Sequence, residues 1–312
     1  MTSAAALALL LSCCVSPAQI GDSAFPGETK DPCTKVTIPI SVASSKPGTP
    51  FQASDLIAEL AGNTLHAVSL SASQVEPRIV LLVDTSGSMA PDLDDRKLGT
   101  RAWGHGLEAS VFAFRALPEN AKVAFGTFAS HLHIAPFGNL SAAQQQLSDL
   151  AKVTPRGETD LFGSLHIVAQ AFGTPQFGDA IYVVTDGGDN RAKVSARAVS
   201  KELAFFSVRV YVFFITHQKF VTPDEKEGLD NIQLLAENTG GQIVQMPWSE
   251  DWLATTQAEN YAALIRQYVR APYRLELLLD RPLSKPGKLK ITSSQPTLHL
   301  IYPKLLVPCA GH

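Results

Sequence analysis

Through the middle of the chain, short unbroken apolar runs alternate with longer amphipathic stretches. Residues 78–83 read RIVLLV, and comparable runs recur at 122–128, 180–185 and 208–215. A continuous apolar run of this length predicts a strand covered on both faces, as in a parallel sheet. Apolar residues at helical spacing predict helices near 98–117, 142–151, 161–172, 195–205, 227–238 and 252–269. Outside this region the period changes. Residues 36–42 and 64–70 before it read as strands, and so do 273–279, 288–292 and 297–302 after it. Turns rich in Pro and Gly separate them, such as Lys46-Pro47-Gly48-Thr49-Pro50.

Buried strands alternating with helices predict an α/β fold, a doubly wound and mostly parallel sheet. The β-rich flanks are expected to pair with each other as a small antiparallel β module. The expected division is a leader over 1–18, an N-terminal β-rich flank over 19–76, the α/β domain over 77–270, and C-terminal strands over 271–312 that pair with the N-terminal flank. No internal repeat or low-complexity tract interrupts this plan.

The first 18 residues carry no charged side chain, and residues 4–11 are unbroken apolar. Ser16 and Ala18 stand at the −3 and −1 positions of a signal-peptidase site, so export is expected. Leu10-Leu11-Ser12-Cys13 offers a second processing point, a lipobox-like string that would place a lipid anchor on Cys13. The alternative is a buried N-terminal helix. With Cys13 and Cys14 assigned to the leader, Cys33 and Cys309 remain for the mature chain. They would either close a disulfide around nearly the whole domain or stand as two separate thiols.

Composition narrows the function. A formal charge of −3 supplies no basic field for nucleic acid. No apolar run reaches the roughly 20 residues of a mature membrane-spanning helix. No Gly-x-Ser-x-Gly elbow, phosphate-binding loop or His-Glu-x-x-His motif is present. Gly104-His105-Gly106-Leu107-Glu108-Ala109 has glycine spacing reminiscent of a dinucleotide loop, but it falls inside a predicted helix.

Candidate chemistry gathers where predicted strands end, the place at which open α/β sheets hold ligands. The run 78–83 leads into Asp84-Thr85-Ser86-Gly87-Ser88-Met89. A glycine loop, Arg156-Gly157-Glu158-Thr159-Asp160, precedes a helix. The third apolar run leads into Thr185-Asp186-Gly187-Gly188-Asp189-Asn190. Each alone reads equally well as a turn or a helix cap. Together and in this order, they resemble the von Willebrand factor type A family over about residues 78–269. The β-rich flanks further resemble the exported bacterial, acidobacterial-type members.

The resemblance implies a metal-ion-dependent adhesion site built from Asp84, Ser86, Ser88, Thr159 and Asp186. It implies Mg²⁺ as the resident ion, with Mn²⁺ or Ca²⁺ as alternatives. Ser86 and Ser88 would bind directly, Thr159 directly or through water, and the two aspartates largely through water. Neutral hydroxyls would leave the ion electrophilic toward the Asp or Glu carboxylate of a protein partner. The expected function is an exported adhesion or scaffolding module, secreted, periplasmic or lipid-anchored at the envelope, and not an enzyme. The alternatives are a metal-dependent hydrolase and a structural envelope protein with metal-stiffened loops.

Other polar groups receive plainer readings. Asp189 and Asn190 are expected to shape the loop around Asp186, and Asp92, Asp94 and Asp95 to form a solvated acidic loop. His131 and His133 share a strand face without an evident third ligand. Asn139-Leu140-Ser141 is a formal glycosylation sequon.

Overall fold

The computed structural model describes residues 34–44, 51–73, 75–90, 102–191, 193–215, 223–246, 256–270 and 272–308. The chain divides into Met1–Pro32 and Cys33–His312, and every described residue belongs to the second unit. The leader with Cys13, the pair Cys33 and Cys309, and Asp92, Asp94 and Asp95 lie outside the described residues.

Among the described residues the strands form two sheets. The first holds β4 (Arg78–Asp84), β5 (Lys122–Phe128), β6 (Leu132–Ile134), β7 (Ala180–Thr185), β8 (Arg209–Ile215) and β9 (Ile243–Met246) in the order β6-β5-β4-β7-β8-β9. Its neighbours run parallel except for β6, which reverses against β5. The central strands are buried at nearly every position because helices cover both faces. Ile79, Leu81 and Val83 enter one core with Phe112 of α1 (Ala102–Arg115) and Ile265 of α6 (Thr256–Arg270). Val80 and Leu82 enter the opposite core with Leu165 of α3 (Leu161–Ala171), Val199 of α4 (Ala196–Phe205) and Leu235 of α5 (Pro223–Thr239). This two-sided burial is what the unbroken apolar runs encode. The short helix α2 (Leu140–Leu150) starts at Asn139, whose side chain accepts from the Ala142 amide, so the sequon asparagine caps a helix.

The second sheet is built from the flanks. Its order is β12-β1-β10-β3-β2-β11-β13, with β1 (Lys35–Ser44), β2 (Leu56–Leu60), β3 (Asn63–Ala72), β10 (Tyr273–Leu278), β11 (Gly287–Ser293), β12 (Leu298–Ile301) and β13 (Leu305–Leu306). All of its pairings are antiparallel. Alternate residues such as Ile38, Ile40, Ala58, Leu275, Leu277, Leu289 and Ile291 turn into a core of its own.

The expected doubly wound, mostly parallel sheet with a small antiparallel module is therefore corrected. The antiparallel sheet is the larger of the two, with seven strands against six, and the six-stranded sheet is mixed. Short strands account for the difference. β2, β6, β9 and β13 span five residues or fewer, too few for a hydrophobic period to stand out, and pairing with longer neighbours fixes them.

Arg209 joins the two sheets. It opens β8 and is 1% exposed. Its guanidinium donates to the carbonyls of Tyr268 at 2.8 Å and Val269 at 3.3 Å, at the end of α6. It also donates to Tyr211 Oη at 3.1 Å and to Ser41 Oγ of β1 at 3.3 Å. One buried cation thus caps a helix C-terminus and reaches the flanking sheet. No helix among the described residues is long and apolar enough to cross a membrane.

Candidate metal centre

Three loops at the carboxyl ends of β4 and β7 and at the start of α3 are laced together by backbone bonds. Gly87 N donates to Gly157 O at 2.8 Å, and Arg156 N to Thr85 O at 2.9 Å. A Cβ on Gly87 would lie 3.1 Å from Gly157 O, and Gly157 itself has φ +89°, so two glycines permit the approach. The loop of Thr159 is fastened to the loop after β7. Thr159 N donates to Asn190 Oδ1 at 2.8 Å, while Thr159 O accepts from the amides of Asn190 and Arg191 at 3.1 and 3.0 Å. Asp189 Oδ2 accepts from Phe162 N at 2.9 Å and Asp160 caps the same helix, so Asp189 and Asn190 do shape the loop.

Within this frame the five expected residues come together. Asp84 is fully buried; its Oδ1 accepts from Ser86 N at 2.9 Å and its Oδ2 from Thr185 Oγ1 at 2.7 Å. Ser86 Oγ and Ser88 Oγ stand 3.1 Å apart. Asp186 Oδ1 accepts from Gly188 N at 3.2 Å. Gly188 gives the clearest measure of convergence. A methyl group there would sit 3.5 Å from Asp186 Oδ1, 3.8 Å from Thr159 Oγ1 and 4.0 Å from Ser88 Oγ, so oxygens from all three loops lie within 4.0 Å of one point. Asp84, Ser86 and Thr159 are buried, Asp186 is half-buried and Ser88 is exposed, so the cluster opens outward on one side.

Electrostatics favour a cation here. Burial first, and the nearby Asp186 carboxylate second, push the Asp84 carboxyl up to about 7, against the bonds from Ser86 and Thr185 that favour its ionised form. Two acids sharing a pocket with hydroxyls form a hard, oxygen-only donor set of the kind that suits Mg²⁺ or Mn²⁺. Among the described residues no three His, Cys, Asp or Glu side chains cluster as metal ligands. Any ion held here would therefore depend on the three hydroxyls as much as on the acids. His131 and His133 are exposed and gain no third ligand of these types among the described residues.

Thr185, outside the five-residue motif, also holds the site's frame. Its hydroxyl donates to Asp84 and accepts from Gly187 N at 3.0 Å, holding the ends of β4 and β7 together. Its signal was its place directly before Asp186, where a small hydroxyl ends an otherwise apolar strand. Gly228 of α5 carries no motif in the sequence, yet a Cβ there would overlap Gly187 O, so that helix packs backbone to backbone against the loop of Asp186.

No family model matches the chain, and no curated protein matches it significantly. Several solved structures are similar to parts of the chain. An aerotolerance-related membrane protein of Bacteroides fragilis is similar at 19% identity and a TM-score of 0.44, over 62% of this chain and 98% of that one. A von Willebrand factor type A protein of Catenulispora acidiphila is similar at 11% identity and a TM-score of 0.46, over 84% of this chain and 71% of that one. The proximal thread matrix protein 1 of mussel byssus, solved with a zinc-occupied MIDAS motif, is similar at 14% identity and a TM-score of 0.47, over 74% of this chain and 50% of that one. At these values each is a likeness of chain path, and what those proteins bind stays with them.

Proposed function

We infer that this chain is an exported protein-binding module whose contact point is a divalent cation held by Asp84, Ser86, Ser88, Thr159 and Asp186. The observation that carries the reading is the ring of Ser88, Thr159 and Asp186 oxygens about Gly188, beside the buried Asp84 and open to solvent at Ser88. When bound, Mg²⁺ would supply an electrophilic centre able to take an outside carboxylate in place of water. The chain's own residues do the rest. Thr185 and the Ser86 amide fix Asp84, the Gly87–Gly157 contact brings Thr159 to the serines, and Asn190 anchors Thr159. The partner would present an Asp or Glu side chain to the exposed edge. Export rests on the apolar leader over residues 1–18.

The role is binding without turnover. Metal-dependent hydrolysis of ester or phosphate substrates, lost in Asp186→Asn, would overturn that part of the reading. The direct test is thermal unfolding with and without Mg²⁺ or Mn²⁺. At a hundredfold excess over Kd, the wild type gains about 2.7 kcal/mol. Ser88→Ala, at an exposed position, folds normally and loses most of the gain. Asp186→Asn, which removes one acid, loses it as well. Equal metal responses in the wild type and both variants would refute the assignment.

A further inference from the structure

We propose that the cleft between helices α4 and α5 and strand β11 binds a small phosphate-bearing anion, at a site separate from the metal centre. The cleft has a volume of about 830 Å³, and none of Asp84, Ser86, Ser88, Thr159 and Asp186 lines it. Six cations do: Arg197, Lys201, Lys285, Lys288, Lys290 and Lys304. Among the described residues, Glu237 is the one acid on its wall. This concentration runs against the chain as a whole, which carries 26 basic and 29 acidic side chains.

Secondary structure sets the arrangement. Arg197 and Lys201 are four residues apart on α4 and so project from one face of the helix. Lys288 and Lys290 are the exposed alternates of β11, while Leu289 and Ile291 turn into the core. Lys290 has a partial partner in Glu59 at 3.6 Å, and Lys304 lies over the Tyr302 ring with Nζ 3.7 Å from its centre. Arg197, Lys201, Lys285 and Lys288 have no ion pair among the described residues. Cations of one sign on low-dielectric walls reinforce one another's field and select for a ligand of several negative charges.

The chemistry favours phosphate over carboxylate. Five of the six cations are lysines, point charges on flexible stems that can close around a phosphate from several directions. A carboxylate offers only one negative charge on two coplanar oxygens, whereas a phosphate or diphosphate offers two or more charges on tetrahedrally spread oxygens, which six converging cations match better. The volume is that of a small-molecule site rather than of a macromolecular face. Leu234, Pro286 and Leu305 add apolar wall for the body of such a ligand.

The probe is inorganic pyrophosphate, titrated calorimetrically into the full chain in chelator-treated, low-salt buffer, so that the outcome does not depend on the metal centre. The wild type binds saturably, and binding fades as salt rises. Lys201→Glu/Lys288→Glu weakens it by about tenfold or more, whereas Lys152→Glu, outside the cleft, does not. Vesicles of phosphatidylglycerol, with phosphatidylcholine as control, separate the sources of the phosphate. Sedimentation of the wild type with the anionic vesicles alone assigns a lipid headgroup, and its absence assigns a free phosphoester. No saturable pyrophosphate binding, or equal binding by the charge-reversed variant, overturns the proposal. Equally tight binding of an oligoglutamate peptide overturns the preference for phosphate.

Discussion

The two sheets solve the problem of burial in opposite ways. In the six-stranded sheet every residue of β7 and β8 is buried, with helices on both sides. In the seven-stranded sheet, β2 and β11 alternate between core and solvent, so only one side is committed to packing. The difference decides what chemistry each region can hold. A sheet covered on both faces can hold the Asp84 carboxylate away from water where β4 ends. A sheet covered on one face leaves its alternate positions free, and β11 fills two of them with lysines that face the cleft. Buried acid in the first region and exposed base in the second are thus consequences of how each sheet is covered.

Truncating one apolar side chain in each sheet exposes the difference in covering. Phe213 of β8 is fully buried, with its ring 5.7 Å from Phe112 and 5.4 Å from Tyr182. Phe213→Ala is expected to cost about 3–5 kcal/mol in urea denaturation. Val68 of β3 is 53% exposed, and Val68→Ala should stay within about 0.5 kcal/mol. Comparable costs at the two positions would mean that the sheets are not covered differently.

Arg209 tests whether the two regions depend on each other. Arg209→Met removes the donor to the Tyr268 and Val269 carbonyls while keeping much of the volume. A loss of about 2 kcal/mol is expected, because buried acceptors lose a charged partner while a buried charge is also removed. No loss of stability would show that the junction contributes nothing.

A graded effect, spread over about three pH units, is predicted for pH in the absence of metal. Asp84 titrates near 7 in the folded chain and near 3.8 when unfolded. Between these values the folded chain holds a proton that the unfolded chain has released. Stability conferred by this group is therefore full below about 4, falls as pH rises, and levels off above about 7. The slope contributed is at most about 1.4 kcal/mol per pH unit. Saturating Mg²⁺, which favours the ionised carboxylate, should flatten it. Urea titrations at stepped pH read the slope, and Asp84→Asn should remove it.

Much of the six-stranded sheet was legible because its strands are long, apolar and followed by turns with distinct chemistry. Asp84, Ser86 and Ser88 could be placed on one turn from their spacing alone. Their meeting with Thr159 and Asp186 required the three loops to share one sheet edge, which the family resemblance implied and the backbone bonds among Gly87, Gly157, Thr159 and Asn190 bring about. The size of the second sheet was not legible, since β2 and β13 have too few residues to show a period and owe their form to their neighbours. Nor was the basic cleft, because its lysines and Arg197 come from segments about 85 positions apart in sequence and meet only through the packing of α4 against the C-terminal strands.

If one divalent cation sits among the oxygens of the three loops, a methyl group on Gly188 should crowd it, and Gly188→Ala puts one there. Its added methyl would make ordinary contacts of 3.5–4.0 Å with Asp186, Thr159 and Ser88, so the fold should tolerate it while the space for coordinating water shrinks. Titration with Mn²⁺, followed by electron paramagnetic resonance, is expected to show one ion per wild-type chain and markedly weaker binding by Gly188→Ala at unchanged melting temperature. Undiminished Mn²⁺ binding by a folded Gly188→Ala chain, or no bound ion in the wild type, would mean that the three loops do not hold a cation between them.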